Sequence, residues 1–61
     1  MNGYKVELKI IGDENLEVIL DYQTVHLMML SEYVTIDGNT VRVSYKEVTS
    51  DGIVRFTGSK I

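Results

Sequence analysis

The chain has no cysteine, a single histidine and only six lysines and arginines in 61 residues. Without cysteine there is neither a disulfide framework nor a thiolate metal site. The lone histidine, His26, cannot hold a metal unless carboxylates or thiolates join it in space. It also has no sequence-visible partner for nucleophilic catalysis, so a capped or half-buried side chain is expected, with no metal and no cofactor. Nine acids against six bases leave a formal charge of −3. That balance argues against general binding to nucleic acid or to an anionic membrane surface, and neither is an expected partner. No apolar run approaches membrane-spanning length. Regular alternation begins at Tyr4, directly after Met1, Asn2 and Gly3, so no secretory leader is expected and a cytoplasmic location is.

A 61-residue chain makes one small domain, residues 1–61. A domain of this size buries only about 60% of its unfolded surface. Small scaffolds without disulfides or metals often depend on association with another chain. Hydrophobic residues make up 44% of the sequence, enough to argue against disorder.

What is present is alternation with the period of a strand. From Tyr33 to Val48, Val34 and Ile36 alternate with Tyr33 and Thr35, and Val41, Val43 and Tyr45 alternate with Arg42, Ser44 and Lys46. Asp37-Gly38-Asn39-Thr40 between the two runs marks a hairpin. A turn centred on Gly38-Asn39 would set Ile36 opposite Val41 and Val34 opposite Val43. Centring it on Asp37-Gly38 would pair Ile36 with Asn39, a poorer apolar match, so the first register is preferred. Tyr4 to Tyr22 reads as an earlier hairpin in which Leu8 meets Val18, Lys9 meets Glu17 and Lys5 meets Asp21. A last strand covers Ile53 to Thr57, with Val48 opposite Ile53 and Tyr45 opposite Phe56, after the turn signal Thr49-Ser50-Asp51-Gly52.

Between the first two hairpins the alternation fails. Val25, Leu27, Met28, Met29 and Leu30 are nearly continuous, and leucine and methionine favour helix. Neither glycine nor proline occurs between Asn15 and Asp37, so a helical turn is the simplest way to reverse the chain. A short helix over 24–31 is expected, capped by Asp21 or Thr24. The fold class is then α+β, mainly antiparallel, in the order β-β-α-β-β-β; the alternative is an all-β small barrel with residues 25–30 as a strand. A helix apolar on most sides would leave Val25, Leu27, Met28, Met29 and Leu30 as a contact surface.

One other constellation could carry chemistry. In the preferred registers Arg42, Lys46 and Arg55 share one face with Tyr33 and several hydroxyls, and no acid among Glu32, Glu47 and Asp37 joins them. Arginine offers forked donors to phosphate or carboxylate, which makes this set a candidate anion site against the bland reading of a charged outer sheet face. The acids gather at turns, where turn chemistry explains them. The functional expectation is a non-enzymatic protein-binding or inhibitor module, an accessory protein working as a small homo-oligomer, with a host or partner protein as a further contact. The alternative is a protein that sequesters a small anionic metabolite or nucleotide. With no catalytic set in view, an enzyme is not expected.

Overall fold

The period-two run at the start of the chain becomes strand β1 (Gly3–Ile10), and the next becomes β2 (Leu16–Asp21). The computed structural model describes residues 3–61; Met1 and Asn2, read above as the lead-in to the first strand, lie outside them. Helix α1 (Tyr22–Met29) follows, then β3 (Tyr33–Ile36), β4 (Asn39–Val48) and β5 (Ile53–Lys60). The order is the expected β-β-α-β-β-β. The strands form one sheet in the order β2-β1-β5-β4-β3, antiparallel throughout except that β1 and β5 run parallel. The sheet curls into a nearly closed barrel, so its inner face wraps a single core of Val6, Leu8 and Ile10, Val25, Val34 and Ile36, Val41, Val54 and Phe56. The parallel pairing brings the beginning of the last strand to the beginning of the first, and no local sequence signal announces it.

Side-chain faces came out as the alternation implied except on β4 beyond Ser44, where Tyr45 turns outward and Lys46 turns to the core side, and all three hairpin registers differ from expectation. In the first, Leu8 lies opposite Leu16 and Val6 opposite Val18. This is a two-residue slip, which keeps every side chain on its face. Lys9 and Ile10 instead pair with Thr57 and Gly58 of β5. The expected Lys9–Glu17 and Lys5–Asp21 pairs are replaced by a diagonal Lys5–Glu17 ion pair of 3.0 Å. In the central hairpin the rejected register is the one adopted: Ile36 faces Asn39 and Val34 faces Val41. Asp37 and Gly38 have φ of 51° and 79°. Positive φ at both central residues is the two-residue turn whose twist matches that of the flanking strands, and this match outweighs the poorer apolar pairing of Ile36 with Asn39 at the tip.

In the last hairpin the loop is Ser50-Asp51-Gly52, closed by Thr49 N donating to Ile53 O at 2.9 Å, with Gly52 at φ 83°. A three-residue loop ending in a left-handed glycine is a standard hairpin connection. It sets Val48 opposite Val54, Glu47 opposite Arg55 and Tyr45 opposite Thr57, one residue away from the expected pairing. Continued unbroken, that register would turn Val41 and Val43 outward and Arg42 inward. A bulge at Ser44 prevents this: beyond it Val43 pairs with Gly58 and Arg42 with Ser59.

The helix begins two residues before the expected 24–31 and ends two residues sooner. Asp21 is its cap: one carboxylate oxygen accepts from Thr24 N at 3.1 Å and the other from Thr24 Oγ1 at 2.6 Å. At the other end Lys46 reaches across and donates to Met29 O at 2.7 Å, supplying a cation and a donor where the helix has unsatisfied carbonyls.

Candidate functional site

Helix α1 lies across one end of the barrel and packs on β1 and β2. Val25 is its buried residue, only 3% exposed, so of the five residues expected at a contact surface it belongs to the core instead. Met28 and Met29 are half-buried against that core. Leu27 and Leu30 are 64% and 74% exposed. They stand three residues apart, one helical turn, and therefore neighbour each other on the surface. Fully burying a leucine is worth roughly 1.5–3 kcal/mol, so each forgoes more than half of that in the isolated chain.

Because α1 packs on the β1–β2 side, a gap opens between it and the β4–β5 tip. This groove has a volume of about 690 Å³. Tyr4, Tyr22, Leu27, Met29, Val48 and Val54 make its apolar lining over the buried Val25 at its floor, with Gln23 and His26 as its polar members. Among the described residues no aspartate, glutamate, lysine or arginine takes part. The rings of Tyr4 and Tyr22, both in the lining, meet at 4.7 Å between centroids in a tilted pair. Val48, more than half exposed on the opposite wall, was not among the expected contact residues. Its position follows from the three-residue loop, which sequence patterning alone did not fix.

The structure divides the expected cation set. Arg42 and Tyr33 are direct cross-strand neighbours, as a shared face requires. Arg55 is on the outer face but is held between two carboxylates: its Nε donates to Glu7 Oε1 at 3.1 Å and its Nη1 to Glu47 Oε1 at 2.6 Å. These bonds, Glu7 first and Glu47 second, raise its pKa further above an already basic value and commit its fork to the protein. Glu47 therefore does share the outer face, contrary to expectation. Lys46 lies opposite Phe56, on the core side of the sheet, where it caps α1. The one-residue register change before the bulge reverses both Lys46 and Glu47, which is why the predicted cluster is not assembled.

His26 lines the groove and is exposed, not half-buried as expected. Among the described residues no polar or charged side chain is buried, and no three histidine or carboxylate groups stand close enough to hold a metal ion. No helix of the described residues is long and apolar enough to cross a membrane. Comparison of the chain with protein-family models, with curated proteins and with solved structures gave no match.

Proposed function

We propose that this chain is a non-enzymatic binding module that works by covering a protein surface, and that it assembles as a small homo-oligomer through the α1 face. The observation that carries this reading is the uncharged apolar groove rimmed by Leu27 and Val48, with Leu30 exposed one turn further on. Covering those side chains returns burial that the isolated fold forgoes. A second copy of the chain is the occupant we favour. A symmetric contact brings the same patch of both copies together, so a patch of one charge sign would face its like. On an acidic chain, a face without carboxylates is where two copies meet with least repulsion.

Sedimentation velocity tests the reading. The wild-type chain should sediment as a dimer or larger species, and the double variant Leu27→Glu, Leu30→Glu as a monomer with an unchanged far-UV circular dichroism spectrum. A wild-type monomer at every concentration, or a folded double variant that still assembles, would remove it.

A further inference from the structure

The bulge at Ser44 has a consequence on the side of the sheet away from the core. Before it Arg42 points out, and after it Tyr45 points out as well, so β4 presents both on the convex outer face. Tyr45 is 71% exposed, and Tyr33, beside Arg42 on β3, is 52% exposed. Pairing across the sheet then makes two rows: Tyr33, Arg42 and Ser59 in one, and Tyr45, Thr57 and Lys9 in the next. We infer that these two rows form a platform for single-stranded nucleic acid, on which Tyr33 and Tyr45 stack successive bases while Arg42 and Lys9 meet phosphates.

Three observations carry the assignment. The first is the pairing of aromatic faces with cations. Neither row contains an acid, and Arg42 makes no ion pair among the described residues. In the adjoining row Glu7 and Glu47 both bond Arg55, one cation against two carboxylates, so the phosphate-facing surface is confined to the two rows themselves. The chain is acidic as a whole, but the surface a phosphate would meet here is not.

The second is spacing. The rows are two residues apart along β5, and Tyr33 is one strand away from Tyr45. Strand rise and strand separation together put the two tyrosines about 8 Å apart, a gap that two neighbouring bases out of their stack can bridge. The third is shape. Small-molecule sites are concave and enclose most of their ligand, whereas these side chains stand on the outside of a curled sheet and none lines the α1 groove. A convex row of aromatics and cations suits an extended polymer that adds one base per ring, and stacking of that kind tolerates any sequence. The proposal uses a surface separate from the α1 face and does not depend on it.

Fluorescence anisotropy with a labelled oligothymidine of about ten nucleotides, at low salt, tests it; an oligouridine arm separates preference for DNA from preference for RNA. Binding should weaken with salt at a logarithmic slope of about −1.4, the value for two phosphate contacts on a single strand. Tyr45→Ala should weaken it about fivefold or more, as loss of one stacked base requires, and Tyr45→Phe should keep it. Arg42→Gln should reduce the slope by about 0.7. Leu27→Glu with Leu30→Glu should bind the oligonucleotide as the wild type does, which separates failure of this platform from failure of the α1 contact. The proposal is overturned by no anisotropy change with either strand, by equal affinity for a duplex, by thymidine monophosphate competing mole for mole with the oligonucleotide, or by folded Tyr45→Ala and Arg42→Gln variants that bind unchanged.

Discussion

Replacing Gly58 by alanine probes the tightest point of the fold. Gly58 lies on β5 where the bulged part of β4 passes over it, paired with Val43 on one side and Ile10 on the other. A β-carbon there would sit 2.0 Å from the carbonyl oxygen of Arg42, 2.8 Å from its carbonyl carbon and 2.6 Å from Val41 Cγ1. Two of those three atoms are backbone, so no rotamer change relieves the clash, and the two strands must separate by more than an ångström. Separation there loosens Val41 and Phe56, both fully buried. Overpacking typically costs about 1–3 kcal/mol, and a backbone obstacle places this site at the upper end. At ~0.05–0.15 kcal/mol per residue, a chain of this length has roughly 3–9 kcal/mol of stability in total. Gly58→Ala should therefore remove about a third or more of it and lower Tm by roughly 10–20 °C. Urea unfolding followed by tyrosine fluorescence is the assay. A variant within about 0.5 kcal/mol of wild type, with an unchanged m-value, would refute the packing described around the bulge.

Other consequences can be checked on the same apparatus. Asp37 occupies left-handed space, so Asp37→Val should cost about 1–2 kcal/mol while Asp37→Asn should cost almost nothing; equal midpoints for the two in urea would contradict the turn. The Thr24 hydroxyl and N–H hold the Asp21 carboxyl below its ordinary pKa. Its contribution is therefore complete above the unfolded value and is lost as pH falls through the lower folded one. Acid titration by circular dichroism should show helix loss in that range for wild type, and a flat response for Asp21→Asn. Deleting Ser44 should leave Val43 facing in and Tyr45 facing out on a regular ladder, at a cost of about 1 kcal/mol or less; a variant that fails to fold would show that the bulge does more than correct register.

Element order and the faces of the strands, except β4 beyond its bulge, were legible in the sequence because both follow from local periodicity. Val6, Leu8, Val34, Ile36 and Val41 alternate in the chain and are buried in the fold. Pairing was less legible, because it depends on turn geometry. A two-residue error, as at Leu8–Leu16 or Val34–Val41, leaves every face intact and is invisible to hydrophobic patterning. A one-residue error is not harmless: at the β4–β5 loop it exchanged Lys46 for Glu47 on the outer face and broke up the expected cation cluster. The cue was present in Asp51-Gly52, since a left-handed glycine closing a three-residue loop fixes the pairing, and the bulge then follows from the need to keep Val41 and Val43 inside. The exposed leucines of α1 were legible as an apolar segment, but the inward turn of Val25 and the opposite wall at Val48 required the tertiary arrangement. The net charge described the whole chain and not the outer face of its sheet.

The most direct measurement on the α1 face is amide hydrogen exchange, resolved by residue, as protein concentration is raised. Assembly through that face should slow exchange across Tyr22–Leu30 and around Val48 with increasing concentration, and leave β3 and the outer rows of β4 unchanged. Exchange independent of concentration, or protection gained only along the outer sheet face, would contradict it.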